Sequence, residues 1–243
     1  MRTPGQWAEG FLDVIFPRSC LSCGRAVTGD GFRHLCRTCG RRIVHAGAPR
    51  CDTCGYPVFG AVESARTCPH CLHLDPAYGN GRTAALFQGP VRSLIIALKY
   101  ERAEYVVGDL VRLAVESPGF SDYLRGAVLV PVPLHPRKRR ERGYNQSEII
   151  AQALSRAVGD GTRVASLLIR VEDTVSQTRF SRRERQTNLK NAFALAADAP
   201  ILADQRHIII DDVFTTGSTL NACALVLRRS GLRSLDVATI GHG

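Results

Sequence analysis

From about residue 83 onward, apolar and polar positions follow two alternating periods. Thr83 to Gln88 is strand-like. Pro90 then opens a helical stretch in which Val91, Leu94, Ile95 and Leu98 share one face. Ala127 to Pro133 (AVLVPVP) is a short apolar run of the kind found in a strand buried on both faces. Asn145 is placed to cap a helix running to about Val158. Leu167 to Val171 is a second candidate strand, and His207 to Val213 is the strongest. Ser218 to Arg229 reads as a helix closed by Gly231, and Ser234 to Ile240 as a last strand. Strand and helix in alternation predict a parallel sheet with helices on both faces and a ligand site beyond the C-terminal strand ends. Arg170 to Asn191 breaks this rhythm. It is polar, basic and long, which suits a lid or binding loop, with one or two helical turns after Ser181.

The first 80 residues follow a different rule. Trp7, Phe11, Leu12, Ile15 and Phe16 recur at helical spacing and suit a docked helix better than a membrane anchor. After them the chain is marked by cysteine. Eight of the nine cysteines fall in four C-x-x-C pairs: Cys20/Cys23, Cys36/Cys39, Cys51/Cys54 and Cys68/Cys71. Each pair can present two thiolates to one ion, and two pairs complete a tetrahedral zinc site. A lone C-x-x-C would also suit a redox dithiol, but four regular repeats point to two structural zinc ions. Pairing in sequence order and a crossed pairing both satisfy two ions. Gly24, Gly40 and Gly55 follow three of the pairs, where a turn often needs a positive φ. His34, His70 and His73 lie close by but are surplus to eight thiolates. The segment has few large apolar residues, so metal must supply much of its folding free energy. The chain is therefore expected to divide into residues 1–80, a helix and double zinc-ribbon module, and residues 81–243, an α/β domain. Cys223 stands alone and suits a buried apolar position on its helix.

Composition narrows the class. With 44% hydrophobic and 22% charged residues in 243, the chain is an ordinary globular one. No apolar run is long enough to span a bilayer, and the N-terminus lacks the h-region and cleavage site of a secretory signal, so a cytoplasmic location is expected. Lys and Arg number 32 against 22 Asp and Glu, a formal charge of +10. The excess gathers in Arg137 to Arg142 and in Arg179 to Lys190. It suits either a solvated face or an anionic ligand, polyphosphate or nucleic acid.

The most informative stretch is Ile208 to Leu220 (IIIDDVFTTGSTL). An apolar strand delivers Asp211 and Asp212 at its end, and Thr215, Thr216, Gly217, Ser218 and Thr219 lead into a helix. Free N–H groups, a helix dipole and several hydroxyls suit a phosphate monoester. There is no lysine in the loop, which excludes a P-loop for nucleoside triphosphates. Carboxylates beside a phosphate need other partners, sugar hydroxyls or magnesium.

This stretch resembles the phosphoribosyl pyrophosphate (PRPP) motif of type I phosphoribosyltransferases. The whole chain resembles the ComF family, in which a zinc module precedes a phosphoribosyltransferase-like domain. The further matching stretches are Leu98-Lys99-Tyr100, Val130 to Pro136 (VPVPLHP), Glu141 to Gln146 (ERGYNQ), and Gln177 followed by Ser181 to Asn188 (SRRERQTN). The resemblance implies a type I phosphoribosyltransferase-like fold and supplies roles. Asp211 and Asp212 would be the catalytic pair, holding the ribose 2′- and 3′-hydroxyls. Thr215 to Thr219 would cradle the 5′-phosphate. Lys99, His135, Arg137, Lys138, Arg142, Asn145 and Gln146 would serve the pyrophosphate, with Arg182, Arg183 and Arg185 on a lid. The implied reaction takes PRPP with magnesium and an unknown nitrogen acceptor. The alternative is a non-catalytic PRPP-binding protein that handles single-stranded DNA alongside DNA-uptake proteins.

Overall fold

A computed structural model describes residues 18–29, 31–58, 67–171, 192–201 and 204–243. Among them the expected N-terminal helix, at residues 7–16, and most of the expected lid do not fall.

Helix α1 (Arg37–Gly40) lies in the cysteine-rich segment. The larger part then runs β1 (Gly81–Leu86), α2 (Gly89–Tyr100), a 3-10 turn (Glu104–Val106), α3 (Val107–Glu116), α4 (Phe120–Leu124), β2 (Val128–Pro131), α5 (Pro136–Arg142), α6 (Gln146–Val158) and β3 (Arg163–Val164). It continues with β4 (Leu168–Arg170), β5 (Phe193–Leu195), β6 (His207–Phe214), α7 (Ser218–Arg229) and β7 (Leu235–His242). Five strands form one parallel sheet in the order β1-β7-β6-β2-β3.

The apolar runs become central strands because both faces are covered. Ile208 and Ile210 point into a core with Leu94 and Leu98 of α2, Leu110 and Leu113 of α3, and Ile150 and Leu154 of α6. Ile209, between them, points the other way, with Val130 and Val237, onto Leu220, Cys223 and Leu227 of α7. The expected α/β class with helices on both faces is thus the observed one. Cys223 is fully buried among these apolar neighbours, as its place on the helix suggests.

The structure departs from expectation in three places. Leu168–Arg170 is a strand, but it pairs antiparallel with β5 in a separate two-stranded sheet. The basic run after β2, which the sequence left without an assigned element, is helical. Residues 136–142 form helix α5, with Pro136 in its first turn and the left-handed Gly143 closing it. Its five basic residues mask a helix because none of its positions is buried, so no apolar stripe marks it. Finally, Gly24 and Gly55 take the positive φ expected after a knuckle, but Gly40 does not. Gly40 ends α1 against the Phe32 ring, where an added Cβ would lie 3.0 Å from Cδ2.

The cysteine-rich segment is built into both cores. Cys20, Leu35, Cys36, Cys39 and Ile43 join the cluster of α2 and α3, while Cys51, Cys54, Cys68 and Cys71 join that of α7. Residues 44–46 run antiparallel along the outer edge of β1, with Ala46 N–H donating to Ala84 O and Leu86 N–H to Val44 O. That pairing covers an edge which would otherwise expose unpaired backbone groups.

Candidate functional site

Two sets of four sulfurs come together: Cys20, Cys23, Cys36 and Cys39, and Cys51, Cys54, Cys68 and Cys71. Tertiary structure therefore chooses the sequential pairing over the crossed one. In each set all four Sγ atoms lie within 4.8 Å of one another, with Cys23–Cys36 at 3.6 Å and Cys54–Cys68 at 3.5 Å. Bonds of ~2.3 Å to a tetrahedral zinc would set the sulfurs about 3.8 Å apart, so the residues fit the ion. Backbone N–H groups of Tyr56 and Cys68 point at the sulfurs of Cys54 (3.4 Å) and Cys51 (3.2 Å), as suits thiolates. Burial, and then hydrogen bonds with the neighbouring thiols of Cys23, Cys36 and Cys20, push the Cys39 thiol up to about 12. The three histidines stay out of both sets. His34 faces Asp109 (3.4 Å) and packs on Tyr105, and His70 packs on Tyr56 and His242.

Each set is anchored differently. For the first, Asp109 on α3 accepts from the backbone N–H groups of Arg33 and His34, both at 2.7 Å. For the second, the Cys51-to-Gly55 turn presses on β1. A Cβ on Gly81 would lie 2.2 Å from Thr53 O, and one on Gly55 2.4 Å from Thr83 N, so only glycine fits either position.

The acidic pair sits near the C-terminal end of β6. Asp212 is buried (3% exposed), and its Oδ1 meets Lys99 Nζ of α2 at 2.8 Å. Its Oδ2 is buried with no hydrogen-bond partner among the described residues. Asp211 Oδ1 accepts from the Ser147 hydroxyl at the start of α6 (2.9 Å) and from the Asp212 N–H (2.9 Å). Burial, then the Asp212 charge beside it, pushes the Asp211 carboxyl up to about 7, against the pull of Lys99 and the two donors. Burial works against the Lys99 charge, but the carboxylates of Asp212 and Asp211 outweigh it and hold its pKa above the ordinary lysine value.

Past the pair, the loop turns at Gly217, which has a φ of +72°. A Cβ there would lie 2.6 Å from the Phe214 ring and 2.8 Å from Leu74, so a larger residue is excluded both by conformation and by space. The Thr216 and Ser218 hydroxyls lie 2.9 Å apart, Thr215 is exposed, and Thr219 is half-buried on the first turn of α7. No acidic residue stands in that turn to compete for an anion.

The other candidates surround this centre at different distances from it in role. Asn145 is buried and caps α6, accepting from Ser147 N–H (3.2 Å) and donating to Val132 O (3.0 Å). It fixes the turn after β2 against the helix that carries Ser147. Arg142 donates to Gln146 and lies over the exposed Tyr100 ring, 6.0 Å from its centroid. His135 caps α5, accepting at Nδ1 from Arg137 N–H (3.3 Å), and Arg137 pairs with Glu141 (3.0 Å). Lys138 is half-buried on the same helix. Arg182, Arg183 and Arg185 lie outside the described residues. Sequence reasoning missed Ser147, although it directly follows the quoted ERGYNQ run. It also missed Leu74 and Phe214, whose apolar side chains carry no chemical signature.

Residues 11–72 match the family described as double zinc ribbon domain. Over nearly the whole length, the chain is 32% identical to Competence protein F of Haemophilus influenzae, across 227 residues covering 92% of this chain and 96% of that one. It is 34% identical over 232 residues to the DNA utilization protein YhgH of Escherichia coli K12, with the same coverage. It is 30% identical over 235 residues to Competence protein ComFC of Bacillus subtilis, covering 93% of this chain and 84% of the relative. Among solved structures, a hypoxanthine phosphoribosyltransferase from Staphylococcus aureus aligns over 56% of this chain and 62% of its own, with 15% identity and a TM-score of 0.34.

Proposed function

The chain belongs to the ComF family, that of Competence protein F, ComFC and the DNA utilization proteins, and on that premise we propose that it binds PRPP with magnesium and transfers the phosphoribosyl group to a nitrogen nucleophile. One observation carries this reading: a buried carboxylate pair, with Asp212 Oδ2 lacking a hydrogen-bond partner among the described residues, stands on the strand that leads directly into a hydroxyl-rich loop and a helix N-terminus. Buried polar atoms are rarely left without partners, so such an oxygen marks a ligand position.

In this reading each residue of the cluster has a role. The backbone N–H groups at the start of α7, with the hydroxyls of Thr215, Thr216, Ser218 and Thr219, hold the 5′-phosphate. Asp211 and Asp212 accept from the ribose hydroxyls, and Ser147 and Asn145 keep Asp211 and the turn after β2 in place. Magnesium, when bound with PRPP, would neutralise pyrophosphate charge, and Asp211 and Asp212 are the carboxylates available to it. In the reaction the bond from C1 to the pyrophosphate oxygen breaks, a bond from the acceptor nitrogen to C1 forms, and the acceptor gives up a proton. Positive charge builds on the sugar as pyrophosphate leaves. The two carboxylates stabilise it more in the transition state than in the ground state. Lys99, held beside Asp212, is a fixed cation within the same charge cluster.

A second reading has its own support: the exposed basic helix α5 beside the exposed Tyr100, together with the names of the relatives. In it, the chain binds PRPP without turnover and handles single-stranded DNA. Calorimetry with PRPP and magnesium tests the shared core of both readings. Asp212→Asn should weaken binding about ten- to a hundredfold, since hydrogen bonds to charged groups contribute roughly 1.5–3 kcal/mol. Thr219→Ala should weaken it less. Unchanged affinity in both would place PRPP elsewhere or nowhere. Pyrophosphate release across a panel of bases and DNA then separates enzyme from binder.

A further inference from the structure

The second cysteine set and the phosphate loop are mechanically one unit. Leu74 is three residues past Cys71, its N–H donates to the Cys71 carbonyl (2.9 Å), and its side chain closes directly on Gly217. The chain beyond it is tied along α7, the helix whose first turn completes the loop. Asn221 Oδ1 accepts from Ala77 N–H (2.7 Å), Asn221 Nδ2 donates to Asp75 O (3.0 Å), and Arg228 Nε donates to Ala77 O (2.8 Å). On the same Cβ side of Gly217 as Leu74, the Phe214 ring stacks on His242 (4.9 Å, 16° between planes). His242 meets His70, the neighbour of Cys71, edge-on at 5.2 Å. Gly217 thus rests against two side chains, Leu74 and Phe214, both backed by the Cys68-to-Cys71 knuckle. The first cysteine set lies in the opposite core, with α2 and α3.

We infer that the second zinc knuckle forms a wall of the 5′-phosphate cradle, so that ligand in the cradle and metal on Cys51, Cys54, Cys68 and Cys71 stabilise one another, with Leu74 and Asn221 as positioning residues. The inference rests on the PRPP reading of the loop. Its physical basis is linkage. If loss of the metal frees Leu74 and His70, the loop loses the backing that fixes its N–H groups. A ligand that needs the fixed loop must then hold the metal more tightly, by the same factor. The first set, which shares no contact of this kind, is an internal control.

The test uses the full-length zinc-loaded protein. Cysteine alkylation during incubation with a chelator is mapped peptide by peptide, with and without PRPP and magnesium, and calorimetry on the same sample reports whether PRPP is bound. PRPP should slow labelling of Cys51, Cys54, Cys68 and Cys71 at least about fivefold, the lower end of ordinary coupling between sites. Labelling of Cys20, Cys23, Cys36 and Cys39 should not change. Asn221→Ala, checked to retain both metals, should lose most of that protection. Bound PRPP with no protection of the second set would overturn the coupling while leaving the PRPP reading intact. If calorimetry shows no binding, the PRPP reading fails, and the wall is judged by hydrogen exchange alone. Leu74→Ala and Asn221→Ala should each speed exchange of the amides at 215–220; unchanged exchange in both would overturn the wall as well.

Discussion

Asp211 is placed where its burial costs the fold. Its carboxyl is pushed up to about 7 by burial and by the charge of Asp212. A folded pKa above the unfolded value of about 4 means that the folded state binds the proton more tightly. Stability from this group is therefore full at low pH and is lost as pH rises from about 4 through about 7. Asp211→Asn removes the burden. Its melting temperature should exceed that of the wild type at pH 8, by about 2–4 °C for each kcal/mol relieved in a domain of this size, and the gain should shrink below pH 5. The same group should give PRPP affinity a pH dependence of opposite sense. The wild type should bind more tightly as pH rises through 7 and the carboxylate forms, whereas Asp211→Asn should bind weakly throughout and lose that component. Thermal melts and calorimetry across pH 5–8 check both. A variant no more stable than wild type at pH 8 would mean that Ser147 and Lys99 compensate the burial in full.

At the scale of elements, the ribbons are inserts in the α/β cores. Cys36 stands at the N-cap of α1 and Cys39 lies within it, both share a core with α2 and α3, and the Cys51 knuckle leans on β1 through Gly55 and Gly81. Metal analysis should return about two zinc ions per chain, one for each set of four sulfurs. Because the sets are packed into both faces of the sheet, chelation should lower the melting temperature of the whole chain in one broadened transition. A ribbon that melted alone, with the sheet's own transition unmoved in calorimetric scans, would contradict the shared cores. The two-stranded β4–β5 unit joins the α7-side core through Leu168 and Phe193. β5 of this unit packs beside α7.

At the scale of the molecule, the chain carries a formal charge of +10. Arg137, Arg139 and Arg140 are exposed on α5, close in sequence to Arg142 and, through it, to the exposed Tyr100. Exposed aromatic rings among cations suit single-stranded nucleic acid, whose bases stack while its phosphates are neutralised. Affinity for an oligonucleotide should fall steeply with salt and depend little on sequence. Replacing Arg137 and Arg140 by Ala should make the log–log salt slope shallower by about 1.4, since each phosphate contact on a single strand contributes about 0.7. Fluorescence anisotropy over a salt series measures it, and an unchanged slope would remove α5 from any DNA contact.

What the sequence determined alone was whatever rests on local pattern and on residue chemistry. Both-face burial wrote Ile208 to Ile210 and Val128 to Val130 as unbroken apolar runs, and the 3.6-residue stripe of α2 is legible in Val91, Leu94, Ile95 and Leu98. Asn145 was readable as a cap, and the eight cysteines as two metal sites, because those roles need particular atoms at fixed spacing. Tertiary structure decided the rest. Which knuckle pairs with which depends on where each is docked, through Asp109 and through Gly81, far away in the chain. That α5 is a helix follows from its capping and its closing glycine, since a solvated helix leaves no hydrophobic period. Lys99 could be named as a cation from its motif, but its partner, Asp212, lies 113 residues further on and meets it only when α2 packs on β6. Leu74 and Phe214 matter through shape, and shape is a property of the packed chain.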